Sequence, residues 1–266
     1  MAEAYGKLPL RFEANRGQTS GEVKFVARGG GYTLFLTPSE AVLSLRRPGA
    51  VEAVGETPGA SVAQTADTLR VRLGGSNPSP VVVGVGELPG RSNYLLGEDA
   101  RAWRTNVPNF EKVRYGSVYP GVDLVYYGEQ GQLEYDFLVA PGADPRRIRL
   151  KFEGARAVRV DEQGDLVLGT RGGDVRQRKP FASQEVDGAR REVAARYVKK
   201  AGGAIRATAS PWTPQATPIS SATPRRPTSP SRVLCARPSA ETATPSSPRS
   251  ARTPTSRLRT PTRATP

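Results

Sequence analysis

The stretch VDLVYYGEQGQLEYDFLV, residues 122–139, holds two runs of alternating residues around a single turn. Residues 122–127 and 133–139 are rich in β-branched and aromatic side chains, and GEQG at 128–131 divides them. Successive side chains of a β-strand point to opposite faces. Leu133, Tyr135, Phe137 and Val139 therefore share one face, with Glu134, Asp136 and Leu138 on the other. Glycine takes the positive φ values of tight turns without steric cost, so the pattern predicts a β-hairpin. PG at 141–142 and DP at 144–145 end its second strand.

The same grammar recurs on both sides. Upstream, Val23, Phe25 and Ala27 alternate until GGG at 29–31, and strands are predicted at 32–36 and 41–45, closed by TPS and RPG. LRVRL at 69–73 alternates cleanly, with Arg70 and Arg72 opposite the apolar face. VVVGV at 81–85 is a continuous apolar run, which predicts a short strand buried on both faces. Downstream, 148–152 alternates, 157–160 and 166–168 flank DEQG, and 181–185 and 191–198 flank VDG at 186–188. Residues 48–66, rich in Gly, Pro, Ala, Glu and Thr, read as a mobile loop. No stretch carries a helical period. The expected fold is all-β, an antiparallel β-sandwich-like body or two packed sheets.

Composition divides the chain in two. The net charge of +14 and pI of 10.4 suggest a nucleic-acid or membrane binder. Residues 199–266, however, carry 12 Lys and Arg against one acid, Glu241, and 12 of the 24 prolines. Residues 1–198 are nearly balanced, at +3. We therefore expect a folded module over 5–198 and a disordered Arg/Pro/Ser/Thr-rich tail over 199–266.

The chain has no histidine, which removes Ser-His-Asp and Cys-His catalysis and imidazole metal ligation. Its one cysteine, Cys235, lies in the tail, so a disulfide or a thiolate metal site within the chain is excluded. No run approaches the roughly 20 apolar residues of a membrane helix. The first residues, MAEAYGKLPLRFEANRGQ, lack an apolar export segment, although AEA at 2–4 has the small-x-small shape of a cleavage site.

Among candidate sites, Glu134 and Asp136 share a strand face, about 7 Å apart. Such a pair suits glycosidase-type acid–base work or Ca²⁺ binding. The plainer reading is the solvated face of an amphipathic strand. Asp161 and Asp165, in DEQGD, resemble a calcium loop but lack its alternating acid spacing, and read more simply as a hairpin turn. GVGELPG at 84–90 is no dinucleotide fingerprint, because its last glycine falls one position late and Pro89 spoils the helix start. Tyr94, Trp103, Tyr115, Tyr119, Tyr126 and Tyr127 could form a ligand platform, but Tyr126 and Tyr127 must face opposite ways. NRGQ at 15–18 and RTN at 104–106 are polar clusters in turn-like contexts, suited to tying loops to the sheet. The sequence indicates no cofactor.

Three long phrases carry a family resemblance: PLRFEANRGQTSGEVKFVARGGGYTLFLTPSEAVLSL (9–45), GRSNYLLGEDARAWRTNVPNFEKVRYGSVYPGVDLVYYGEQGQLEYDFLVAPGADP (90–145) and GDLVLGTRGGDVRQRKPFASQEVDG (164–188). Together they resemble the N-terminal module, a domain of unknown function, of large bacterial proteins in which it precedes an array of SBBP repeats, a type of β-propeller repeat. The resemblance spans about residues 5–198. It implies an exported protein, extracellular or in the cell envelope, and it supplies no catalytic residues. This chain carries neither the export segment nor the repeats.

The leading expectation is a non-catalytic β module, structural, adhesive or ligand-binding, whose partner is a surface glycan or a protein. The rival from another class is a carbohydrate-active hydrolase using Glu134 and Asp136. A third reading, nucleic-acid binding through the basic tail, would be counterion release without sequence recognition. The tail itself reads as a repeat region translated in the wrong frame. Sliding the frame by one base with free synonymous codons lets the text from Ala209 encode IAVDAAGNAYLVGYAASTDFPV, and that from 240 to 254 encode GDSDAFVTKISADA. Both hypothetical peptides resemble SBBP repeat text, with the alternation and Gly/Asn/Asp turns of propeller strands. The slip is expected near residues 198–203.

Overall fold

The computed structural model describes residues 10–46, 67–95, 97–129, 132–186, 189–200, 203–209, 231–235 and 238–240. The expected mobile loop at 48–66, most of the tail and the centres of the turns at 128–131 and 186–188 lie outside them.

The described residues are almost entirely strands. In order they are β1 (Phe12–Ala14), β2 (Phe25–Gly29), β3 (Tyr32–Leu36), β4 (Glu40–Leu45), β5 (Asp67–Leu73), β6 (Val81–Tyr94), β7 (Arg104–Tyr119), β8 (Val122–Glu129) and β9 (Gln132–Val139). They continue as β10 (Leu150–Glu153), β11 (Ala157–Val160), β12 (Leu166–Gly169), β13 (Asp174–Gln177), β14 (Phe181–Val186), β15 (Ala189–Val193), β16 (Ala195–Lys199) and β17 (Ile205–Ala209). Two short strands from the tail, β18 (Ser231–Cys235) and β19 (Pro238–Ala240), complete the set. Short helical turns lie at Ala100–Ala102 and Pro145–Arg147, each capped by an aspartate that accepts the backbone N–H two residues on.

The fold is all-β and antiparallel, as the alternation requires. The larger sheet runs β15-β14-β18-β9-β8-β7-β1-β2-β3-β4-β5-β10-β17-β16, with β6 added to β7, and the smaller runs β11-β12-β13-β19. The central hairpin pairs Val122 with Val139 through to Glu129 with Gln132, an unbroken register. β7 is the spine: β6 lies along one side of it, and β8 and β1 lie end to end along the other.

One core holds the layers together. The inward residues of β3 to β5 (Leu34, Leu36, Leu43, Leu69) and of β7 to β9 (Val113, Leu124, Tyr126, Tyr135, Phe137) belong to it, with Leu166, Leu168 and Val175 of the smaller sheet. Leu43, Leu69, Tyr126, Tyr135 and Leu168 line a single small gap, so β4–β5 and β8–β9 of the larger sheet and β12 of the smaller sheet converge there. Neighbouring rings on β7, β8 and β9 pack at 5.6 Å (Tyr115–Tyr126), 5.7 Å (Tyr126–Tyr135) and 6.1 Å (Tyr135–Phe137), the spacing aromatic quadrupoles favour. Tyrosine hydroxyls find carbonyls at the core's rim: Tyr115 donates to Thr37 O at 2.8 Å and Tyr119 to Gly74 O at 3.1 Å.

Polar groups link the sheets as well. The buried Gln177 of β13 donates its amide N–H to the Tyr135 hydroxyl of β9 and, at 2.9 Å, to the Tyr197 hydroxyl of β16. Asp67 of β5 accepts the Gly172 N–H at 2.5 Å. Each bond pairs polar groups from distant parts of the chain, and buried polar groups favour such pairing.

Several expectations need correction. Residues 81–85 are not buried on both faces: they open a 14-residue edge strand, and Val81 is 69% exposed. Val83 and Val85, on the same face as Val81, are each 42% exposed, so nothing among the described residues covers that face, which an apolar run alone does not reveal. Gly84 belongs to this strand, where any Cβ would collide with the Phe110 ring of β7. RTN at 104–106 is strand rather than turn; Asn106 takes a positive φ of 61° within it. Residues 191–198 are divided between β15 and β16 rather than forming one strand. β17, in text read as tail, pairs with β16 and β10 and buries Ile205 in the core.

Candidate functional site

The site that stands out is the far end of the β6–β7 hairpin, where it meets the β1–β2 loop. It begins with a polar knot around the buried Glu13 carboxylate. Glu13 of β1, Arg28 of β2 and Tyr94 of β6 converge: Arg28 Nη1 lies 2.8 Å from Glu13 Oε2 and 2.8 Å from the Tyr94 hydroxyl. The Tyr94 hydroxyl in turn donates to Glu13 Oε2, and the Arg28 guanidinium sits 5.5 Å from the Tyr94 ring centre. Burial opposes the charge on Arg28, but the Glu13 carboxylate and the Tyr94 hydroxyl outweigh it, and the guanidinium pKa rises. Burial, then the Glu13 hydrogen bond, pushes the Tyr94 phenol up, so it stays protonated and donating. Beside this knot, buried Asn109 donates to Gly90 O at 3.0 Å and accepts from Ser92 Oγ at 3.2 Å, pinning the bulged part of β6.

Loop ties complete the frame. Asn15 donates to Ser20 O at 2.7 Å and Val23 O at 2.9 Å and accepts the Gly17 N–H. Gln18 donates to Ala14 O at 2.7 Å. The polar cluster NRGQ thus ties its loop to the sheet, as expected. Arg104 donates to the carbonyls of Arg101 and Trp103, both at 3.1 Å, and its guanidinium lies against Gly17. Gly17 has φ +99° and a side chain there would strike Arg104, so two clusters far apart in sequence meet at a glycine.

On this frame stand exposed groups. Trp103 is 38% exposed with its indole N–H held at 3.0 Å by Gly97 O, and Leu95 is 58% exposed. Arg101, two residues before Trp103, and Arg16, next to Gly17 in the β1–β2 loop, are exposed as well. An aromatic ring fixed by its own hydrogen bond can stack on a flat or ring-shaped ligand while arginines bond its oxygens.

The other sequence candidates fall elsewhere. Glu134 and Asp136 share a face of β9 as expected, but it is not solvated: they are 4% and 1% exposed, and Asp136 accepts the Tyr127 hydroxyl at 3.1 Å. The strand face they share is therefore closed rather than open to water. Asp161 and Asp165 form a closed turn. Asp161 accepts the N–H groups of Gln163 at 3.0 Å and Asp165 at 2.9 Å and pairs with Arg176. Asp165 accepts Lys179 N–H at 2.8 Å. Among the described residues no three His, Cys, Asp or Glu side chains are grouped to hold a metal ion. The six aromatic candidates scatter: Tyr115, Tyr119 and Tyr126 are core, Tyr127 lies on the opposite face of β8 beneath Lys112, and only Tyr94 and Trp103 reach the hairpin end.

The Asp161 turn has a pH signature. Burial pushes this carboxyl up, but the Asp165 N–H, Arg176 and the Gln163 N–H outweigh it, so its pKa lies below the ordinary value. A depressed folded-state pKa contributes stability above the unfolded-state value and loses it as pH falls through the folded one. Asp161→Asn should therefore be less stable than the parent at pH 7, with the gap closing below about pH 4. Urea melts at pH 7, 4 and 3 measure it; a gap that does not change with pH would contradict the assignment.

The protein is thus a two-layer antiparallel β module with a braced hairpin end presenting an aromatic and arginines. A family model described as a domain of unknown function (DUF7948) matches residues 12–210, and the chain belongs to that family. No curated protein and no solved structure matches it.

Proposed function

We propose that the chain is the non-catalytic binding module of an exported, cell-surface bacterial protein, and that the β6–β7 hairpin end contacts its ligand, a surface glycan. The observation that carries this is Trp103: a large ring left in water, yet fixed by a hydrogen bond, at the hairpin end that also carries exposed Arg101 and Tyr94 of the Glu13–Arg28–Tyr94 knot. Preorganised aromatics of this kind bind without paying to order a flexible side chain. The resemblance to modules that precede SBBP repeats supports export, and the recoverable repeat text supports a shifted frame in the tail. Burial of Glu134 and Asp136 argues against the hydrolase reading, and the basic charge that suggested nucleic acid sits outside the module.

The test is a glycan array probed with the full chain and with Trp103→Ala. The parent should bind a definable set of oligosaccharides, and the variant should lose about 30-fold in affinity, the equivalent of about 2 kcal/mol. Its stability should change by less than about 1 kcal/mol, because the ring is half exposed. Equal binding by both proteins, or binding only to protein ligands, would refute the proposal.

A further inference from the structure

We propose that the gap between β9 and β14 is a strand-acceptor site, filled in this chain by its own segment Ser231–Cys235. The inference begins with β9. Edge strands in natural sheets are blunted by proline, lysine, glycine or bulges, because a bare row of N–H and C=O groups recruits other strands. β6, which pairs with β7 alone among the described strands, carries such devices: Pro89, Gly84, Gly86 and Gly90, and register breaks at Leu88/Arg91 and Ser92/Tyr94. β9 has no such proline, lysine, glycine or bulge; its only charges, Glu134 and Asp136, are buried. QLEYDFLV contains no proline, lysine or glycine, pairs with β8 without a break, and is buried on both faces from Leu133 to Phe137. That is the chemistry of a central strand, which needs a neighbour on each side.

The neighbour comes from beyond the module. Ser231 to Cys235 pair antiparallel with Val139 to Tyr135 of β9, and Arg232 to Leu234 pair with Ser183 to Phe181 of β14. β14 otherwise pairs only with β15, so among the described strands this hairpin joins the larger sheet through β18. Residues 210–230 can span up to about 70 Å, ample to bring the segment across. Pairing of this kind is held by main-chain hydrogen bonds and tolerates many sequences. The acceptor would therefore take a strand from in-frame downstream text as readily as the one present here. The inference does not depend on what the hairpin end binds.

Hydrogen exchange of the full chain, read by mass spectrometry, tests it. Amides of 231–235 should exchange at least ~10-fold slower than unstructured-peptide rates. Val233→Pro, which removes an N–H from the segment, should abolish that protection and speed exchange in β14–β15 while β2–β4 stay protected. Peptide-rate exchange of 231–235 in the unaltered chain, or protection that survives Val233→Pro, would overturn the proposal. Protection that appears only at protein concentrations giving dimers would place the strand in a second copy and overturn the assignment within one chain. Should Val233→Pro fail to fold, the exchange rates of the unaltered chain decide alone.

Discussion

Phe137→Ala is expected to lower the unfolding free energy by about 3–5 kcal/mol. Phe137 is fully buried at the middle of β9, edge-on to Tyr135, in the core shared by both sheets. Truncation removes the transfer energy of the ring and leaves a void. Strands pinned on both sides, by β8 and β18, have little room to collapse into it. Against a total stability of about 5–15 kcal/mol for a domain, this is a large fraction. A urea titration should show a lower midpoint with an unchanged slope. A loss below about 1 kcal/mol would mean that the ring is not packed where the fold places it.

Gln177→Leu should cost about 2–4 kcal/mol, although leucine fills most of the same space. Gln177 donates to the hydroxyls of Tyr135 and Tyr197, all three groups buried, and so joins β13 to β9 and β16. Leucine would leave both hydroxyls without that donor inside the protein, which is the expensive side of hydrogen-bond energetics. The diagnostic is the recovery. Adding Tyr135→Phe and Tyr197→Phe should regain a substantial part of the loss, because the hydroxyls that lost the Gln177 donor are then gone as well. If the triple variant is no more stable than Gln177→Leu alone, the bonds are not what joins the sheets.

The hairpins were legible in the sequence because each is local: two period-two runs and a turn glycine lie within some twenty residues, as in 122–139. β7 was not legible. Its first half, with Asn106 and Pro108, reads as loop text, and only its partners β6, β1 and β8, from distant parts of the chain, make it a strand. Pro108, which has no N–H, sits opposite Arg91, where β6 is bulged. For the candidate site, the NRGQ and RTN clusters were visible as polar groups, but their meeting at Gly17 and Arg104 was not. The Glu13–Arg28–Tyr94 knot left no sequence signal, since an acid, a base and a tyrosine scattered over 81 positions look like ordinary surface residues. The burial of Glu134 and Asp136 was hidden for the opposite reason: alternation assigns residues to a face but does not say whether something covers it.

The end-to-end seating of β1 and β8 against β7 sets the order in which the molecule can be made. Hairpins such as β2–β3–β4 and β8–β9 bring together residues a few positions apart and close quickly. Phe12 must wait for Phe110, and Leu73 for Leu150, before the larger sheet joins up. Chains dominated by such distant pairings fold in the slow regime of milliseconds to seconds. During synthesis the first strands emerge from the ribosome long before their partners, and stay open until the spine strand has followed them out. A chain destined to cross a membrane unfolded gains from that delay; one retained where it was made has its apolar strands exposed to neighbours for the same interval.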